Sequence, residues 1–234
     1  MGAGLSRLSS VIGEIAVDES APSGAFGEID RLARSPDPEA VAACHRKAVR
    51  DAYWEAEDLG AVAPLAAAGY AHCWVAAGAA EGEVAYRLRS EAKALMYDLA
   101  SSTWPGWGEP GVEVLERDLQ IGLDAAITNL QLARELDKGD LPESRALWML
   151  GGHMLAAGRY LEAGDRFCEG AALAEAAGES AEARLGEAFA ALSAVLAGTE
   201  GAEQTFDAAV ARLAAEEEGA TLVEQVSTAR DVFE

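Results

Sequence analysis

Apolar positions recur at three- and four-residue spacing along most of this chain. That spacing collects side chains on one face of an α-helix, whereas a half-buried strand would alternate. Leu5, Leu8, Ile12 and Ile15 form the first such series, and residues 18–24, rich in Pro, Ser and Gly, read as a linker. Phe26, Ile29 and Leu32 or Ala33 suggest a second short helix before Ser35-Pro36. Asp37-Pro38-Glu39 is a helix start: Asp37 caps, Pro38 suits the first helical position, and Glu39 favours the positive end. That helix is predicted to run to about residue 59 and stop at Gly60, with Val41, Cys44, Ala48 and Ala52 inward. An alanine-rich helix over about residues 62–77 carries Pro64 in its first turn, and a third spans about residues 83–101. Two prolines and several glycines in residues 103–111 rule out helix there, making the clearest break in the chain. A long helix over about residues 112–136 follows, with Leu115, Leu119, Leu123, Ala126, Ile127 and Leu130 on one face. Helices over about residues 143–157, 159–177, 181–197, 200–217 and 221–232 complete the pattern.

Within residues 143–177, small residues stand where two helices would touch (Gly151, Ala163, Gly170) and aromatics where a gap would need filling (Tyr160, Phe167), with Gly158 at the turn. This resembles one tetratricopeptide unit, a helix–turn–helix repeat of about 34 residues with a small/aromatic signature. Residues 181–217 are a weaker copy, since Ala202, Phe206 and Ala209 echo Ala163, Phe167 and Gly170. Residues 69–78 echo only the first half, and Glu175 stands where such units usually place a proline, so the array reads as diverged. The resemblance implies an all-α, right-handed α-α superhelix of stacked helix–turn–helix pairs, about nine or ten helices in all. Residues 1–36 would be short helices and linker, residues 37–234 the repeat domain, and residues 221–232 its capping helix. In tetratricopeptide proteins the first helix of each pair lines a concave groove. Carried over, this puts Arg145, Trp148, Gly152 and Leu155 on a groove, with Arg184, Glu187 and Ala191 from the next unit.

Composition supports the helical reading: half of the residues are hydrophobic, aromatics are only 6%, and the abundant residues are strong helix formers. Charge narrows the partners. With 40 acidic against 18 basic residues the net charge is −22, which repels nucleic acid and anionic lipid and favours cationic partners. Lysine is nearly absent, as in salt-adapted proteins or in the products of a high-GC bacterial genome. Three widely spaced cysteines give no disulfide or zinc framework, and neither a signal peptide nor a membrane-spanning run is read from the sequence. The expectation is a cytoplasmic protein.

Candidate chemistry is sparse. Cys44-His45 and His72-Cys73 fall on neighbouring predicted helices, yet adjacent helical residues diverge, so each pair offers one inward ligand at most. His153 and Cys168 would need hydrogen-bond proximity and a third orienting group to act as a catalytic pair. Acidic pairs such as Glu55/Asp58 and Glu113/Glu116 read as solvated faces. Trp104-Pro-Gly-Trp107 is the most unusual surface candidate, either a lid over the core or an interface loop. Arg145 and Arg184 would select a carboxylate of a peptide or simply pair with nearby glutamates. The leading expectation is a non-enzymatic scaffold that binds a protein or peptide, with no catalytic residues, metal or cofactor. Its binding residues would be Arg145, Trp148, Leu155, Arg184, Glu187, Trp104 and Trp107. Self-association through the Leu5 to Ile15 stripe is left open. A helical small-molecule or metal-binding protein or enzyme using His72, His153 and the cysteines is one alternative, and a structural subunit of a larger assembly is the other.

Overall fold

The computed structural model describes residues 37–234. The Leu5 to Ile15 series, the linker and the expected helix near Phe26 lie outside the described residues. Among the described residues the chain is all-helical, with nine α-helices, one 3₁₀ turn and no strand. These are α1 (Pro38–Trp54), α2 (Leu59–Gly78), α3 (Gly82–Ser102), the turn Pro105–Trp107, α4 (Glu116–Glu135), α5 (Asp140–Ala156), α6 (Tyr160–Ala177), α7 (Ser180–Leu196), α8 (Ala202–Leu213) and α9 (Gly219–Phe233).

The chain divides into two compact units. The first is formed by Gly111–Leu136 and the described part of Met1–Thr103, the second by Trp104–Pro110 and Asp137–Glu234. In the first unit, α1, α2, α3 and α4 pack in sequence order. In the second, α5 to α9 do the same, with the Pro105–Trp107 turn against α9. Neighbours in sequence are neighbours in space, which is the arrangement of a helical-repeat array and keeps contacts local.

The Asp37 side chain accepts from the Glu39 and Ala40 amides, as its sequence predicts, satisfying amides that have no partner within the helix. The α1/α2 boundary differs from the expectation. Helix α1 stops at Trp54, Glu57 takes a left-handed φ of 50°, and Asp58 caps a new helix by accepting from the Ala61 amide at 3.2 Å. Gly60 therefore lies inside α2 rather than ending α1. The local capping bond of Asp58 outweighs the weak breaking tendency of one glycine. In α4 the buried line is Ile121, Ala125, Ala126, Leu130 and Ala133, while Leu115 and Ile127, expected inward, are exposed.

Small residues set the close approaches in the second unit. A Cβ on Gly151 would come within 2.9 Å of the Phe167 ring, and one on Gly170 within 3.1 Å of the Ser144 carbonyl oxygen. The Ser144 hydroxyl donates to the Gly170 carbonyl at 2.8 Å, tying α5 to α6 where they are nearest. Ala163, Phe167, Ala202, Phe206 and Ala209 are all buried.

Candidate functional site

The residues expected to form a groove separate into core and surface. Trp104 is only 1% exposed and sits at the centre of the second unit. Its Nε1 donates to the Gly152 carbonyl at 2.9 Å. Its ring meets Trp107 edge-on at a centroid distance of 4.7 Å and Trp148 at 5.2 Å, and Phe189 and Phe233 lie at 6.0 and 6.3 Å. Leu155 is also 1% exposed and belongs to the same apolar cluster. Trp104 and Leu155 are thus interior residues, which corrects their placement on a binding surface: the indole and the leucine side chain gain more from leaving water than a contact surface would return. Of the two readings of the Trp104–Trp107 loop, the lid over the core is the one formed. Trp107 and Trp148 are half-buried against this cluster, and the Trp148 Nε1 has no hydrogen-bond partner.

The charged groove candidates are exposed or half-exposed and already paired. Arg145 makes a bidentate contact with Glu182 through its Nε and Nη2. Arg184 donates to Glu187 at 2.7 Å, Glu187 is also met by Arg212 at 3.2 Å, and Glu175 lies 3.8 Å from Arg184. Charge pairs of this exposure are worth about 0–1 kcal/mol each. They hold the arginines toward their own carboxylates, so a peptide carboxylate would have to displace an internal partner.

In the first unit the two imidazoles converge and the cysteines do not join them in a ligand set. His45, on α1, is buried over Gly69 of α2, where an added Cβ would come within 2.7 Å of the His45 Cβ. The His45 and His72 rings stack at 6.1 Å. His72 Nε2 lies 2.9 Å from the Pro38 carbonyl, to which it donates as the Nε2–H tautomer. Burial, then the neighbouring His72, lowers the pKa of His45, partly offset by the Leu65 backbone. His45 Nδ1 makes no well-formed hydrogen bond. Burial, then Glu91, pushes the Cys73 thiol up to about 12, so it is a thiol rather than a thiolate at neutral pH. Among the described residues no group of three or more His, Cys, Asp or Glu side chains is placed to hold a metal ion. His153 is buried in α5, whereas Cys168 lies exposed on α6.

The surface that stands out was not singled out from the sequence. Helix α2 has 20 residues and not one Asp, Glu, Lys or Arg. Only one side of it is buried. Residues on a helix advance about 100° each, so positions 67, 68, 71, 74, 75 and 78 share the opposite side. That side carries Ala67, Ala68, Ala71, Trp74, Val75 and Gly78, mostly exposed, with Val75 at 74% and Trp74 at 38%. Trp74 is held in place by stacking on Tyr70 at 6.0 Å and by the Arg89 guanidinium 6.0 Å from its ring centroid. The sequence signal was available: residues 59–80 form the longest charge-free stretch of a very acidic chain. Alanine suits close contact on any side, so its abundance alone does not distinguish a packed side of the helix from an open one. The same stretch also revises the membrane reading. By length and composition α2 could cross a bilayer, although 44% of its most apolar window is buried within the protein.

Compared with protein-family models, curated proteins and solved structures, the chain matches none.

Proposed function

We propose that this chain is a non-enzymatic, cytoplasmic, tetratricopeptide-like scaffold whose partner docks on the outward face of α2. The observation that carries this reading is the combination of an uncharged, outward-facing helix side with a net charge of −22 on the chain as a whole. Exposed valine and tryptophan side by side cost free energy in water that a partner's apolar surface recovers, at about 25 cal/mol per Å² removed from water. Charge complementarity selects the partner. It is a protein carrying an amphipathic helix with an apolar stripe and Lys or Arg on the flanks, because a chain of net charge −22 steers cations and repels other acidic surfaces. The small/aromatic packing at Gly151/Phe167 and the buried Ala202, Phe206 and Ala209 support the repeat-like part of the reading.

The test is capture by the immobilised full chain and by two variants. Val75→Asp puts a charge on the face, and Arg145→Ala removes the surface contact with Glu182 on the other unit. A basic, helix-bearing protein retained by the wild type and by Arg145→Ala, and weakened about tenfold or more by Val75→Asp, is the expected result. Retention by a Val75→Asp chain of unchanged helicity would refute it. So would Val75-dependent binding to phosphatidylcholine vesicles in place of a protein.

A further inference from the structure

We propose that Arg89 is a specificity-determining residue of the α2 face, where its guanidinium takes an Asp or Glu side chain of the docked helix in a bidentate contact. The inference deepens the scaffold reading and rests on it for the choice of surface.

Arg89 is an exposed residue of α3, and its guanidinium carbon lies 6.0 Å from the ring centroid of Trp74 on the outward side of α2. Among the described residues it meets no carboxylate. Supply is not the reason, since acidic residues outnumber basic ones 40 to 18. Other arginines of the same unit are well matched. Arg46 lies 2.9 Å from Asp98 and 3.7 Å from Glu91, and Arg87 donates to both oxygens of Glu39. The cause is local. Side chains three and four positions apart are neighbours on a helix, and around Arg89 those positions hold Ala85, Tyr86, Ala92 and Lys93. Toward α2 it finds a helix with no charged residue at all.

The contact with Trp74 leaves the cation free to bind. An indole ring attracts the charge but offers no lone pair, so the guanidinium N–H donors stay available for the planar, two-point contact that a carboxylate accepts. Trp74 itself stacks on Tyr70 at 6.0 Å. The guanidinium is thus held at the edge of the face before a partner arrives, which lowers the ordering cost of binding.

Docking turns this availability into selection. A helix that covers Trp74 takes Arg89 out of water with it. An apolar or basic residue opposite would leave the charge buried and unpaired, whereas a carboxylate pairs it where the dielectric is lower. A polyanion would meet the net charge of −22, so a single side-chain carboxylate is the anion that fits. The partner helix therefore carries one acid among its basic flanks. Ala67, Ala68 and Ala71 allow the closest approach, and Trp74 lies two turns beyond Ala67, about 10 Å along the axis. The acid belongs toward one end of the apolar stripe, and its pairing with Arg89 fixes which way round the partner lies.

Synthetic, C-terminally amidated helical peptides test this against the full chain. Each has a leucine stripe and lysine flanks, with one Glu or its Gln counterpart moved along the edge of the stripe, and affinities are read by titration calorimetry. At one position the Glu peptide should bind about tenfold or more tighter than the Gln peptide. The difference should vanish in Arg89→Gln and shrink in Arg89→Lys, which keeps the charge without the fork. Both variants alter an exposed side chain, so their circular dichroism should match that of the wild type. Equal affinity for Glu and Gln peptides at every position would overturn the proposal, as would a Glu preference that persists in Arg89→Gln or the failure of every peptide to bind. Binding to phosphatidylserine vesicles, or self-association in sedimentation equilibrium, that Arg89→Gln abolishes would also overturn it, by assigning the anion to a lipid or to a second copy. The two readings fail separately. Val75-dependent peptide binding without a Glu preference removes the Arg89 contact and leaves the scaffold; an Arg89-dependent preference untouched by Val75→Asp does the reverse.

Discussion

Trp104→Ala puts a number on the placement of the Trp104–Trp107 loop. If the indole were an interface residue, its loss would cost folding little, typically within about 0.5 kcal/mol. The structure gives three separate costs. The ring is 1% exposed, so its removal leaves a cavity among Trp107, Trp148, Phe189 and Phe233. Truncations of this kind cost about 3–5 kcal/mol. The Gly152 carbonyl also loses its 2.9 Å donor inside the core, at about 1–3 kcal/mol if no water replaces it. Close packing hinders relaxation, since a Cβ on Gly106 would lie 2.3 Å from the indole. These terms overlap, and about 4 kcal/mol is the working figure. With a urea m-value of roughly 2 kcal/mol/M, the unfolding midpoint should fall by about 2 M. Hydrogen exchange should show the lost protection in α5, α7 and α9, the helices that supply Trp148, Phe189 and Phe233. A midpoint shift below about 0.5 M, with the m-value unchanged, would refute a core role for Trp104.

Acid should destabilise the α1–α2 pair through His45. Its pKa is lowered in the folded state, so the unfolded chain binds the proton more readily. The stability that neutral His45 contributes is complete above the ordinary histidine value of about 6.5 and declines as pH falls below it toward the lowered folded value. Urea midpoints measured from pH 8 to pH 5 should fall, and the fall should be smaller in His45→Gln; an unchanged slope in that variant would assign the acid sensitivity to other groups. Gly151→Ala should cost about 1–3 kcal/mol by overpacking, because its Cβ would meet three atoms of the Phe167 ring at 2.9–3.1 Å. A thermal melt unchanged from wild type would show that α5 and α6 can separate at that point.

The fold was largely legible in the chain because helix periodicity is a local property. Spacing fixed which residues could share a face, and Asp37-Pro38 and the prolines of residues 103–111 marked a beginning and a break through backbone chemistry alone. The pairing of small with aromatic residues at Gly151, Ala163 and Phe167 was legible for the same reason, since close helix approach needs both. The site was much less so. Whether Trp104 and Leu155 faced water or core depended on which side of each helix its neighbours covered, and covering is a property of the assembled unit. Arg145 illustrates the point from the other direction: Glu182 lies 37 positions beyond it, so only the packing of α5 against its neighbours brings the pair together, whereas Arg184 meets Glu187 three positions along its own helix. Helix α2 is the strongest case. Its lack of charge is written in residues 59–78, and that determined only that the helix would be apolar all round. Tertiary structure decided that α1 and α3 cover one side and leave Trp74 and Val75 outward, because a helix packed between two neighbours has a side that neither can reach.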